Sequence, residues 1–147
     1  MDSAHAAEKR RLSFPDGQET RFLEMIFPEQ ANHYGTLFGG TALDLMGKAA
    51  FIAASRAARH AVVMASSEKV TFHSPVAVGQ LAELVSRVER VGRSSMTVHV
   101  SLTAEVLATG ERRLAAEGWF VMVAVDDRGR PVPAMTFQSV QRDTSQG

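Results

Sequence analysis

The clearest pattern in the sequence is the strict alternation of apolar and polar side chains in SMTVHVSLTAEV, residues 95–106. Because successive side chains of a strand point to opposite faces, this alternation predicts a half-buried β-strand. Further strands are predicted for VVMASSEKVTFH at 62–73, LAELVSRVERV at 81–91 and LAAEGWFVMVAV at 114–125. The last of these is apolar almost throughout, which is typical of a central strand. Short turns join the last three strands, so we expect antiparallel hairpins.

One long segment with helical periodicity precedes these strands. A first strand, ETRFLEMIF at 19–27, is ended by Pro28, and a helix is predicted from Gly40 to about Arg59. Its apolar residues at helical spacing are Leu43, Met46, Ala50, Ala54 and Ala57. We expect so apolar a helix to be largely buried. The order of elements predicts an α+β domain, an antiparallel sheet of about five strands wrapped on one long central helix. The apolar residues on both faces of the last strand favour a dimer over a monomer.

Composition limits the possible classes of protein. A chain of 147 residues is expected to form one domain. We assign residues 1–18 to a flexible N-terminal arm, 19–133 to the domain and 134–147 to a C-terminal tail. The 16 basic and 16 acidic residues balance, which argues against nucleic acid as a partner. The chain has no cysteine, so disulfides, thiolate metal sites and cysteine nucleophiles are excluded.

Membrane and metal sites are not expected either. The longest apolar run is interrupted by Lys48 and Arg56 and is too short to span a bilayer. The N-terminal residues MDSAHAAEKRRLS lack the apolar core of a secretory signal, so we expect a cytoplasmic location. No pair of histidines has the spacing of metal ligands with an acid nearby.

The loop NHYGTLFGG, residues 32–40, leads directly into the predicted helix. It is not a Walker phosphate loop, because the glycine spacing differs and the lysine is missing. It is not a dinucleotide fingerprint, because the glycine order is absent and the strands that follow are antiparallel. Two interpretations remain open. The glycines serve tight turns and close packing, or the free N–H groups of the helix start, near Gly39 and Gly40, stabilise an oxyanion that develops from a carbonyl.

Four segments carry a resemblance to a known family. They are the loop at 32–40, VTFHSPV at 70–76, GRSSM at 92–96 and FVMVAVD at 120–126. In this order they resemble the hot-dog-fold acyl-CoA thioesterases, the YciA-like acyl-CoA hydrolases, over roughly residues 20–133. The resemblance implies the hot-dog fold and the hydrolysis of acyl-CoA to a free acid and CoA. It also implies that no cofactor is needed beyond the coenzyme A of the substrate. Finally, it implies a homo-oligomer, a dimer or a trimer of dimers, with each active site at a subunit interface.

The resemblance also implies roles for individual residues. Asn32 matches a position that family members use to orient the thioester carbonyl or the attacking water, and Gly39 and Gly40 match the loop whose N–H groups polarise the carbonyl. The turn that commonly lies near the CoA nucleotide corresponds to Arg93, Ser94 and Ser95. Further candidate substrate contacts are His33, Gly47 and Ser67.

The sequence departs from the family at the expected catalytic acid. Family members usually have an aspartate after the methionine of the helix, and aligning Met46 places Gly47 at that position. Three interpretations remain open. Asp44, the only acid of the helix, activates the water, or Glu68 on the following strand does so. Alternatively, hydrolysis is lost or redirected, ligand or a neighbouring side chain fills the space above Gly47, and the protein is a non-catalytic acyl-CoA or acyl-thioester binding protein.

Overall fold

The computed structural model describes residues 19–135. Its elements in chain order are β1 (Glu19–Met25), a 3-10 turn (Pro28–Gln30), helix α1 (Gly39–Ala58), β2 (Val62–Phe72), β3 (Leu81–Val91), β4 (Ser95–Glu105) and β5 (Arg112–Ala124). The five strands form one antiparallel sheet in the order β1-β3-β4-β5-β2. The α+β class and the order of elements expected from the sequence are confirmed. The proposed arm at 1–18 and residues 136–147 of the proposed tail lie outside the described residues.

The core lies between one face of the sheet and α1. On β4 every second residue from Met96 to Ala104 is buried, as the alternation predicts. The helix contributes mostly alanines, which let it lie close to the sheet; its buried residues are Ala42, Leu45, Met46, Ala49, Ala50, Ala53, Ala54 and Ala58. The hydroxyl of Ser86 on β3 donates to the carbonyl oxygen of Ala49 in α1 at 2.8 Å, so this buried polar group is satisfied.

The helix is buried on one face only. Leu43 and Phe51 remain 39% and 47% exposed, so the expectation of a largely buried helix is wrong for the flank that carries them. The helix ends at Ala58, because Arg59 adopts a left-handed conformation with φ 52°. None of the helices within residues 19–135 combines the length and hydropathy that crossing a membrane would require.

Strand β2 is an apolar edge of the sheet. It pairs with β5 on one side, and within residues 19–135 no strand pairs with its other side. All residues from Val63 to Lys69 are exposed, including Met64. At the far end of the strand Phe72 is 52% exposed. An edge strand of this length with exposed apolar side chains is a surface on which another strand can pair.

Near the opposite edge of the sheet, formed by β1, ion pairs lie on the outer face of the sheet. The carboxylate of Glu83 on β3, which is only 10% exposed, accepts hydrogen bonds from Arg112 and, at 2.7 Å, from Arg21. The hydrogen bond from Arg112, followed by that from Arg21, lowers the pKa of Glu83 below its ordinary value. These bonds tie the outer strand β1 to the interior of the sheet.

We expect Glu83→Gln to destabilise the protein by about 1 to 2 kcal/mol at pH 7, because two charge-assisted bonds are lost. The pKa of Glu83 is lower in the folded chain. The stabilisation is therefore complete above the ordinary pKa of a glutamate and is lost as the pH falls through the lowered value. Urea unfolding should show a difference between wild type and variant at pH 7 that becomes smaller at a pH below the ordinary pKa of a glutamate. Glu111→Gln, at an exposed glutamate, is the control and should change little at either pH. An equal difference at both pH values would contradict this assignment.

Candidate functional site

The side chain of Asn32 is oriented so that its amino group can donate a hydrogen bond to a ligand. Its Oδ1 accepts bonds from the backbone N–H of Tyr34 at 2.9 Å and from both the N–H and the hydroxyl of Thr36, each at 3.2 Å. Because a backbone N–H can only donate, the atom facing these groups must be the oxygen. The Nδ2 amino group therefore points elsewhere, and it has no hydrogen-bond partner among residues 19–135.

The rest of the loop is anchored at its base and exposed at its tip. Gly35 adopts φ 76°, a conformation that favours glycine, and the N–H of Leu37 donates to the carbonyl of Val76 at 2.7 Å. At the tip the rings of His33 and Tyr34 lie 4.0 Å apart, and both residues are exposed. His33 is therefore accessible to a ligand.

The two glycines at the start of α1 have different reasons to be glycine. A Cβ on Gly40 would lie 2.7 Å from the ring of Phe38, so Gly40 makes room for that ring. A Cβ on Gly39 would meet no atom of residues 19–135 within 4 Å, and its φ is not in the left-handed range. Neither packing against the described residues nor backbone conformation requires glycine at 39. The N–H groups of both residues have no partner in the described chain, and no acid caps this helix end.

Asp44 and Gly47 follow on the same side of α1. Asp44 is exposed, and its carboxylate makes no hydrogen bond or ion pair with the described residues. A Cβ on Gly47 would lie 3.1 Å from the methyl carbon of Met64 on β2. The side chain of Met64 therefore borders the space above Gly47.

The register of β2 places Ser67 and Glu68 on opposite faces of the sheet. Ser67 pairs with Phe120, which is buried in the core, so Ser67 lies on the helix side of the sheet. Glu68 pairs with Trp119, whose ring lies 4.8 Å from that of His99 on the outer face. The structure therefore does not bring Glu68 to the same face as the loop at 32–40.

The turn at residues 93–95 lies at the other end of the sheet. The carbonyl of Ser94 accepts a bond from the N–H of Ala124 at 2.9 Å, and Ala124 pairs with Val62 at the start of β2. The loop at 32–40 contacts the segment that follows the end of β2. Since β2 has 11 residues, the two places are separated by about 30 Å within one chain. Arg93, Ser94 and Ser95 are thus not brought together with Asn32 in a single chain.

A cavity of about 330 Å³ opens beside the helix start. Its lining residues are Leu37, Ala42, Phe72, His73, Ser74, Pro75, Val76, Leu102, Ala115 and Ala116. The sequence does not indicate that these residues line a cavity, because the small apolar residues among them have the same pattern as ordinary core residues. No signal in the sequence distinguishes the two.

One titratable cluster borders this region on the outer sheet face. The carboxylate of Glu117 accepts bonds from Nε2 of His99 at 3.1 Å and Nε2 of His73 at 3.3 Å. The hydrogen bond from His99 is the main reason that the pKa of Glu117 is lowered.

Comparison with known proteins identifies the family. The sequence model of the thioesterase superfamily matches residues 34–111. This chain belongs to the thioesterase superfamily. It is 40% identical over 123 residues to the uncharacterized acyl-CoA thioester hydrolase YkhA of Bacillus subtilis, covering 78% of this chain and 72% of that protein.

Solved structures show the same fold, so the hot-dog fold implied by the sequence resemblance is confirmed. An acyl-CoA hydrolase from Agrobacterium tumefaciens is 48% identical with a TM-score of 0.74 over 81% of this chain, which spans only 47% of that protein. An apo-hexameric acyl-CoA thioesterase is 36% identical with a TM-score of 0.78, covering 87% of this chain and 86% of that one. The acyl-CoA hydrolase of Staphylococcus aureus, in complex with butyryl coenzyme A, is 30% identical with a TM-score of 0.74, and 87% of each chain is covered.

Proposed function

We propose that this protein hydrolyses acyl-CoA thioesters to a free carboxylic acid and CoA. The observation that carries the proposal is a set of hydrogen-bond donors without partners at one loop: the Asn32 amino group and the N–H groups of Gly39 and Gly40. Membership of the thioesterase superfamily and the names of the similar hydrolases support it. Coenzyme A enters as part of the substrate.

These donors suit a thioester carbonyl. When water attacks the carbonyl carbon, negative charge develops on its oxygen, and fixed donors stabilise that charge more than they stabilise the neutral ground state. The positive end of the α1 dipole acts in the same direction. The open space around Gly39 supports a close approach of the substrate to the backbone. His33, exposed at the loop tip, is a further substrate contact.

Asp44 is the proposed general base. It takes a proton from water while the new C–O bond forms, and the C–S bond then breaks to release CoA as a thiolate, which is protonated by solvent. Asp44 lies on α1 little more than one turn after Gly39, whereas Glu68 faces the outer side of the sheet. This geometry favours Asp44 over Glu68.

We further propose that the active unit contains at least two copies of the chain, paired through β2. The exposed apolar edge of β2 and the hexameric state of a similar thioesterase support this pairing. If two β2 strands pair antiparallel about a two-fold axis, the turn at 93–95 of one chain approaches the loop at 32–40 of the other. Arg93 would then meet the phosphates of CoA, because a guanidinium binds phosphate with two parallel hydrogen bonds.

A second candidate function is a non-catalytic acyl-CoA or acyl-thioester binding protein. The contact between Gly47 and Met64 favours it, because an apolar methyl group lies where the resemblance implies a carboxylate. The donors of the loop would then hold the thioester carbonyl without a base to activate water.

The experiment that separates the two is thiol release measured alongside binding. Butyryl-CoA and octanoyl-CoA are incubated with the wild-type protein, free CoA is detected with a thiol-reactive dye, and binding is measured by calorimetry. The proposed function predicts catalytic release of CoA. Binding without release would support the second function and overturn the first.

Asn32→Asp tests the role of the amino group. The variant keeps the oxygen that holds the loop but replaces the donor by a second acceptor, so we expect an unchanged melting temperature and a roughly hundredfold fall in kcat/KM for thiol release. Asn32→Ala is the companion variant, and because it also loses the loop bonds it should lower both quantities. Full activity in Asn32→Asp would show that the amino group does not contact the carbonyl.

A further inference from the structure

We propose that Lys69 on β2 binds the phosphate groups of CoA when the thioester of the substrate lies at the loop at 32–40. This inference rests on the proposed hydrolysis of acyl-CoA. It adds to that function a cationic substrate contact that the family resemblance does not imply.

The backbone of Lys69 adopts a conformation that favours glycine. Its φ is 51°, and among residues 19–135 the only other non-glycine residue with a positive φ is Arg59. A side chain in this left-handed region crowds the following carbonyl oxygen and so destabilises the folded chain. Arg59 ends α1, where a left-handed residue is common, whereas Lys69 lies inside a strand. Backbone strain of this kind is concentrated at functional sites.

The surroundings of Lys69 are shaped to hold this conformation. The register between β2 and β5 shifts by one residue between Glu68 and Thr71. Lys69 and Val70 therefore lie together opposite Gly118, as in a β-bulge. A Cβ on Gly118 would lie 3.1 Å from the Cα of Val70, so the glycine makes room for the bulge. On β2 itself, the hydroxyl of Thr71 donates to the carbonyl oxygen of Lys69 at 3.3 Å.

The charge of Lys69 is available to a ligand. Lys69 is exposed, and its ammonium group makes no hydrogen bond or ion pair with residues 19–135, including the adjacent Glu68. The side chain therefore does not offset the backbone strain through a contact with the described chain. A lysine ammonium is a compact positive charge that suits a phosphate group.

The position of Lys69 fits the phosphates of a substrate whose thioester lies at the loop. Lys69 precedes Phe72, the last residue of β2, by about 10 Å along the strand. In the two-fold pairing proposed above, the second half of one β2 lies beside the first half of the other. Strand β4, which follows Arg93, is then three strand spacings from the β2 of the other chain, roughly 14 Å. Lys69 and the Arg93 of the other chain can therefore hold different phosphates of one CoA.

A second role for Lys69 is protection of the exposed edge of the sheet. Lysine residues and bulges both discourage the pairing of an edge strand with other chains. This role needs no contact with CoA, so the two roles differ in what they predict for substrates with and without phosphate.

The test uses two variants, Lys69→Gly, which removes both the charge and the strain, and Lys69→Met, which removes only the charge. Thiol release is measured with butyryl-CoA and with butyryl-pantetheine, which has no phosphate. Both variants should lower kcat/KM for butyryl-CoA about tenfold, chiefly through KM, and leave kcat/KM for butyryl-pantetheine unchanged. Lys69→Gly should also raise the melting temperature by roughly 2 to 4 °C. Lys69→Arg should retain the activity towards butyryl-CoA.

Arg59→Gly is the matched control. Arg59 is also an exposed cation with a left-handed backbone, at φ 52°. Its replacement by glycine should raise the melting temperature by a similar amount, because glycine is the preferred residue at this helix end. It should leave the ratio of kcat/KM between butyryl-CoA and butyryl-pantetheine unchanged.

Three outcomes would overturn the inference. They are an unchanged ratio between the two substrates in both Lys69 variants, an equal fall for both substrates, and self-association of the variants with unchanged kinetics. The last would assign Lys69 to protection of the edge. Absence of thiol release by the wild type would instead contradict the proposed hydrolysis. The affinity for CoA, measured by calorimetry, then decides: binding about tenfold weaker in both Lys69 variants supports the contact, whereas equal affinity or no binding overturns it.

Discussion

Asp44→Asn is expected to lower kcat for thiol release by about a hundredfold or more, with little change in KM. The amide is nearly isosteric with the carboxylate but does not accept a proton from water. The Asp44 carboxylate makes no hydrogen bond or ion pair within the described chain, so its replacement should leave the urea unfolding curve unchanged. Stopped-flow or steady-state detection of free CoA, with unfolding measured on the same samples, checks both expectations.

Glu68→Gln is the matched control for Asp44→Asn. Glu68 lies on the outer face of the sheet opposite Trp119, so we expect its replacement to change kcat less than about twofold. The reverse result, full activity in Asp44→Asn and loss in Glu68→Gln, would move the base to β2. Because Glu68 lies on the exposed edge strand, it would then act across the interface between two copies of the chain.

Gly47→Asp combined with Met64→Thr is expected to restore activity to Asp44→Asn by about tenfold or more. Met64 occupies the space into which a side chain at position 47 would extend, so the two positions should be changed together.

The single change Gly47→Asp in the same background is the control. A Cβ at this position lies 3.1 Å from the Met64 methyl group, which must move aside, and the carboxylate would lie beside an apolar thioether. We expect the single variant to recover clearly less activity than the double variant. Aspartate and glycine differ little in helix propensity, so the stability of both variants should stay within about 1 kcal/mol of the parent. Equal recovery by both would show that Met64 does not control this space.

The elements of the fold were predictable because their signals are local. Helix α1 was expected at Gly40 to about Arg59 and spans Gly39–Ala58, and β3 has the expected bounds, Leu81–Val91. Alternation and helical spacing are properties of neighbouring residues, so they appear in the sequence whatever the rest of the chain does. The domain boundaries proposed at 18 and 133 and the catalytic assignments remain predictions.

The side of the sheet on which Glu68 lies was decided only by tertiary structure. Strict alternation starting from Met64, which faces the helix, would place Glu68 on the helix side as well. The pairing of β2 with β5 is irregular between Met64 and Ser66, and this shift moves Glu68 to the outer face. A shift of one residue exchanges the two faces of a strand, and no local pattern in the sequence predicts it.

The sequence by itself determined the strand and helix order, the loop that holds Asn32, and the absence of an acid at position 47. Each of these depends on residues that are close together along the chain. Tertiary structure alone decided that Met64 lies beside the space above Gly47, that Ala42 and Ala116 face one cavity, and that Arg93 lies about 30 Å from the loop in one chain. These relations join residues far apart in sequence, and only the packing of α1 against the sheet and the pairing of the strands bring them together or keep them apart.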